Sequence, residues 1–174
     1  ISFWVNPTFV DNDANNAVDG VIGFLALSNP NRFWGNLEWF IENNSNPDGA
    51  ILKVILTHEN ATETDILVSN YKGLFDNWIN HTLTFDAATS TISYYINGSR
   101  QATKVTPWTG PISFVGSGPM VFGTLQFQTS PSLTNHGPED WASHLTGSID
   151  EVRVYNTALS ATDINALVVL QGKG

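Results

Sequence analysis

A tryptophan on a turn-rich loop, ringed by polar side chains, is the arrangement in this chain best suited to act on a ligand. Trp141 sits in Gly137-Pro-Glu-Asp-Trp-Ala-Ser-His144, with Glu139 and Asp140 before it and His136 just upstream. Trp108 sits between two prolines in Thr106-Pro-Trp-Thr-Gly-Pro111. An exposed indole stacks on the apolar face of a pyranose while carboxylate, imidazole and amide neighbours bond its hydroxyls. Trp141, Trp108, His136 and Asp140 are therefore the candidate carbohydrate-binding set, provided both rings are exposed and lie near each other or near a groove. The competing reading is that these loop tryptophans fold back over core edges, and it stays open here. Trp34 follows Asn31-Arg-Phe33 at a loop edge. In Asn36-Leu-Glu-Trp-Phe-Ile41, either Trp39 or Phe40 must face outward, because strand side chains alternate.

Catalytic chemistry finds less support. A retaining glycosidase needs two carboxylates about 5 Å apart, which on one strand means alternate positions such as Glu-x-Asp-x-x-Glu. That triplet does not occur. Asp11 and Asp13 are two apart but lie in the loop-like run Asp11-Asn-Asp-Ala-Asn-Asn16. Asp150 and Glu151 are adjacent, as are Glu139 and Asp140, so on a regular strand each pair splits between faces. No Gly-x-Ser-x-Gly elbow, His-Glu-x-x-His pair or phosphate-cradling glycine loop occurs, and the chain reads as non-enzymatic. The histidines, His58, His81, His136 and His144, show no metal-site spacing. His136 and His144 share one loop and could chelate zinc, but solvated loop imidazoles are the simpler account.

The net charge of −9, from 16 acidic and 7 basic residues, argues against a nucleic-acid partner. With 174 residues and 41% hydrophobic content, one domain with a sizeable core is expected. No apolar run reaches the roughly 18 residues of a membrane-spanning helix. Cysteine is absent, so nothing is stapled by disulfides. An acidic, Asn/Thr/Ser-rich surface suits an extracellular β-domain.

Almost all the periodicity is that of strands. Candidates lie near 1–6, 21–27, 36–42, 50–57, 65–69, 80–86, 91–97, 100–105, 112–115, 120–127 and 146–155. Asn97-Gly98 suits the two positive φ angles of a type I′ hairpin turn. Val152 and Val154 are expected to share the buried face of the last strand. Ser160 with Asp163 has capping-box spacing, and 161–170 reads as the one helix. The longest strand-poor stretch, Thr129 to Leu145, is a candidate partner-facing loop. Many short strands with turn signals between them indicate an all-β, two-sheet antiparallel sandwich with a short C-terminal helix.

Three stretches carry a family resemblance. Gly147-Ser-Ile-Asp-Glu-Val-Arg-Val-Tyr-Asn-Thr-Ala-Leu-Ser160 resembles the closing strand and helix start of LamG-like (laminin G, concanavalin A-like) jelly rolls of secreted bacterial proteins. Trp78-Ile-Asn-His-Thr-Leu-Thr-Phe-Asp86 with Thr91-Ile-Ser-Tyr-Tyr-Ile-Asn-Gly98 resembles the family's central hairpin, and Ile1-Ser-Phe-Trp-Val-Asn-Pro7 its early strand. The resemblance implies core roles for Trp4 and Trp78 and a structural, half-buried His81. It implies a non-catalytic carbohydrate-binding or adhesion module, secreted or on the cell surface. The alternative is a structural or protein-interaction module, or more remotely an accessory domain of a glycoside hydrolase. It further implies that residues 1–174 lack a first strand and belong to a larger chain whose other domains are partners, beside a glycan or cell-surface polysaccharide. Finally, it implies one structural Ca²⁺ at Asp150, completed by loop carbonyls and waters; the acidic loop 11–19 offers Asp11, Asp13 or Asp19 as further ligands.

Overall fold

The structure, a computed structural model, describes residues 1–10, 20–42, 48–58 and 63–172. Its strands are β1 (Ser2–Pro7), β2 (Val21–Leu27), β3 (Leu37–Glu42), β4 (Ala50–Thr57), β5 (Glu63–Tyr71), β6 (Ile79–Asp86), β7 (Thr91–Ile96), β8 (Ser99–Val105), β9 (Met120–Phe122), β10 (Ala142–Ser143) and β11 (Gly147–Arg153). Helix α1 (Ala161–Gln171) follows. One sheet runs β11-β1-β6-β7-β8. The other runs β10-β2-β3-β4-β5, with β9 also pairing to β2. All pairings are antiparallel except β10 with β2. This is the expected two-sheet sandwich.

Alternation along each strand builds the core between the sheets. Leu37, Trp39 and Ile41 point inward from β3, as do Leu52, Val54 and Leu56 from β4, to meet Phe3, Val5, Ile92 and Tyr94. Trp39 thus takes the inward place and Phe40 the outward one. The Trp39 Nε1–H donates to the Tyr94 hydroxyl at 3.0 Å, and that oxygen lies 2.7 Å from His81 Nδ1. An indole can only donate, so the Tyr94 hydroxyl accepts from it and gives its own hydrogen to Nδ1. The His81 proton therefore sits on Nε2, which has no hydrogen-bond partner. Burial holds this imidazole neutral and lowers its pKa to about 3. His81 is fully buried rather than half-buried, stacked on Phe3 at 5.5 Å.

The β7–β8 hairpin turns as the Asn-Gly pair requires, with φ of 47° at Asn97 and 80° at Gly98. Ser160 caps α1: its hydroxyl accepts the Asp163 N–H, and the Asp163 carboxylate accepts the Ser160 N–H. The helix buries Ile164, and Gln171 accepts the Trp4 indole N–H.

Two local expectations need correction. Val154 is not core: it is 70% exposed, while Val152 packs partly buried against the core. The cause is a bulge. Glu151 adopts φ 53°, and the register with β1 shifts between Trp4–Asp150 and Ser2–Arg153, so two residues oppose Phe3. The strand then ends at Arg153. The stretch 112–115 is not a strand, and 123–127 leaves the sheet after Phe122.

Candidate functional site

The outer face of the six-stranded sheet carries what the inner face cannot hold. Cross-strand pairing aligns Gly23, Phe40, Lys53 and Leu67 in one row and Ala26, Glu38, Ile55 and Asp65 in the next. The loop after β2 and the segment 123–142 cover part of this face. Gly23 lets them come close: a Cβ there would lie 2.4 Å from the Thr124 carbonyl carbon. The covering segments bring down Phe33, Trp34, Phe127 and Trp141 over Phe40, Ile55, Leu125 and Ala142, making a second apolar cluster outside the sandwich.

The rings are ordered in layers. Phe40 and Phe127 are buried and form the floor. Trp34 lies nearly parallel to Phe40, at 5.5 Å and 6°, and Phe33 lies on Phe127 at 4.7 Å and 18°. Trp141 leans on Phe127 at 5.4 Å and on Trp34 at 6.2 Å. Phe33, Trp34 and Trp141 keep part of their surface in solvent. The rim is polar. Exposed His136 meets Phe33 edge-on at 5.0 Å, and Glu139 accepts the Trp141 Nε1–H at 3.1 Å. Asp140 is exposed beside Trp141. Lys53 Nζ lies 5.9 Å over the Phe40 ring and 3.4 Å from Glu42.

Two glutamines stitch the loops from below. The Gln126 side-chain amide donates to the Arg32 and Phe33 carbonyls at 2.7 and 2.6 Å, while its oxygen accepts the Asn29 N–H. The Gln128 amide donates to Glu139 O and Ala142 O, and its oxygen accepts the Glu139 N–H. The loops that carry the aromatic surface are thus held in place from beneath.

Trp141, His136 and Asp140 of the sequence-based set therefore stand at this surface. Trp108 does not. Its ring is 7% exposed, stacked on His58 at 5.2 Å within the inter-sheet core, so it cannot join Trp141 in a platform. Its short loop folds inward over the core edge, where the Thr106 hydroxyl donates to the Trp108 carbonyl at 3.2 Å. Phe33, Phe127 and Glu38 escaped the sequence reading. Adjacent rings in Phe33-Trp34-Gly35 and an acid inside Leu37-Glu-Trp-Phe-Ile41 were the available signals.

Asp150 pairs opposite Trp4, and its Oδ1 accepts the Glu151 N–H. Among the described residues no group of three or more His, Cys, Asp or Glu stands together as a metal site. Asp11, Asp13 and Asp19 fall outside the described residues. Glu63 and Asp65, alternate on β5 and overlooked in the sequence, do not form an acid pair. Asp65 is tied to Lys104 at 2.6 Å, and that bond depresses its pKa.

Among solved structures, the chain resembles the CBM40 of Ruminococcus gnavus IT-sialidase bound to α2,3-sialyllactose, at TM-score 0.67 and 16% identity over 96% of this chain and 80% of that one. It also resembles the receptor-binding domain of botulinum neurotoxin type G (TM-score 0.61, 17% identity, 98% of this chain) and the binding domain of Paraclostridial Mosquitocidal Protein 1 (0.61, 16%, 97%). Of those two toxin chains it spans 37% and 36%, so it corresponds to one part of each. At such identities the likeness is one of fold. No curated protein matches in sequence. Among the described residues no helix is long and apolar enough to cross a membrane. The model of the concanavalin A-like lectin/glucanases superfamily matches residues 1–165, nearly the whole chain, and the chain belongs to that family.

Proposed function

We propose that this chain is a non-catalytic carbohydrate-binding module of a secreted or surface-attached protein, one piece of a larger chain. It takes a glycan on the outer face of its six-stranded sheet. The carrying observation is the half-exposed trio Phe33, Trp34 and Trp141, preset on a buried floor and rimmed by His136, Glu139, Asp140 and Lys53. A sugar ring lies on Trp141 or Trp34, and the rim bonds its hydroxyls. The family and the sugar-bound CBM40 neighbour support this reading. A glycan array on the intact protein tests it. Trp141→Ala should weaken the strongest array ligand by about 1–3 kcal/mol, the usual worth of an aromatic stack. An array without hits, or an unaffected Trp141→Ala, refutes the assignment.

An interaction module is the second reading, and α1 favours it: Val169 and Leu170 are 73% and 84% exposed. A structural calcium on Asp150, completed by neighbouring loop carbonyls, waters or carboxylates of loop 11–19, belongs to the same proposal. EDTA should then lower the melting temperature, and Asp150→Ala should remove that difference.

A further inference from the structure

Glu38 is the only carboxylate in the buried set of described residues. It stands in β3 on the outer face, fully covered, between the sheet and the loops that carry the aromatic surface. Its Oε1 accepts the Gly35 N–H at 3.0 Å, and the Gln126 backbone amide acts on the same carboxyl, lowering its pKa. Oε2 has no partner. Gly35 directly follows Trp34. Gln126 directly precedes Phe127, and its side chain grips the Arg32 and Phe33 carbonyls. A single carboxyl thus joins the two segments that deliver Phe33, Trp34 and Phe127.

We propose that Glu38 is the positioning residue of the aromatic surface. Neutral, it holds the Trp34 and Phe127 loops together; ionised, it drives them apart. This rests on the reading of that surface as the binding face. The physical reason is desolvation. A buried carboxylate without a counter-charge is relieved only by water, and water reaches Glu38 only if the loops separate. Burial is the main cause raising its pKa from 4.5 to about 8, partly offset by the two backbone amides. Charged neighbours do not compensate. Arg32 donates to the His58 carbonyl, and the His58 ring accepts from Ser113. Asp65, in the same row, pairs with Lys104, and Lys53 pairs with Glu42. His136 and Glu139 lie out at the aromatic rim. None of these contributes to the Glu38 shift.

The test is ¹⁹F NMR of the whole chain carrying fluorotryptophan, titrated from about pH 6 to about pH 10. Resonances are assigned by single Trp→Phe variants. A His136→Asn background removes the imidazole beside Phe33. The Trp34 and Trp141 resonances should move together with a midpoint near 8, while those of Trp4 and Trp39 stay still at that midpoint. Glu38→Gln keeps an acceptor for Gly35 and should abolish the step. A flat Trp34 response in the parent, or a step that survives Glu38→Gln, overturns the proposal. The parent titration decides the matter alone should Glu38→Gln fail to fold. No glycan is present, so a missing step refutes the positioning role without touching array binding. A clear step with an empty array instead leaves Glu38 as a loop clamp and removes the glycan reading.

Discussion

Two aromatic clusters lie back to back across the six-stranded sheet, and they are built by different means. The inner one, with Trp39, Phe3, Phe24 and Tyr94, comes from strand alternation; its rings are fully buried and its polar atoms bond each other. The outer one, with Phe33, Trp34, Phe127 and Trp141, comes from loops. Phe33, Trp34 and Trp141 stay partly exposed over the buried Phe127, and the polar supports are a buried acid and two glutamines beneath. The inner cluster holds the fold together. The outer cluster presents surface, and its geometry depends on how the loops seat.

The sharpest test of that division is truncation of the inner ring. Trp39→Ala should cost about 3–5 kcal/mol in denaturant unfolding, since it opens a cavity and strips the Tyr94 hydroxyl of its donor. Trp34→Ala should cost clearly less, because that ring is already partly in water. Equal costs would erase the distinction between core and surface.

Two of the buried titratable groups, His81 and Glu38, should set opposite limbs of the pH–stability curve, each worth a few kcal/mol. His81 has a lowered pKa, so its contribution is present above 6.5 and is lost as pH falls toward about 3. Glu38 has a raised pKa, so its contribution is present below 4.5 and is lost as pH rises through about 8. Glu38→Gln should flatten only the alkaline limb in urea titrations at several pH values. An alkaline limb indifferent to Glu38→Gln would locate the loss elsewhere.

Gly23→Ala forces a methyl against the Thr124 backbone. It should cost about 1–3 kcal/mol and shift the ¹⁹F resonances of Trp34 and Trp141 more than that of Trp39. Uniform shifts would mean that the outer layer is not separable from the sandwich. The smallest effect belongs to Val154→Ala, within about 0.5 kcal/mol, because the exposed side chain leaves no cavity. A core-sized loss there would restore the regular strand that the bulge at Glu151 interrupts.

Local chemistry carried much of this molecule. Alternating apolar residues placed most strands within a residue or two. Asn97-Gly98 dictated its turn through positive φ, and Ser160 with Asp163 dictated the helix start, because these depend on neighbours within a few positions. The family was legible for the same reason. What only the tertiary structure decided lies where distant segments meet. Trp108 and Trp141 occupy similar-looking loops, yet one folds into the core and the other lies on the sheet, because burial depends on what the loop lands against. The Glu151 bulge, the parallel pairing of β10 and the burial of Glu38 have the same origin. Each follows from contacts between residues far apart in sequence, and no local period encodes them.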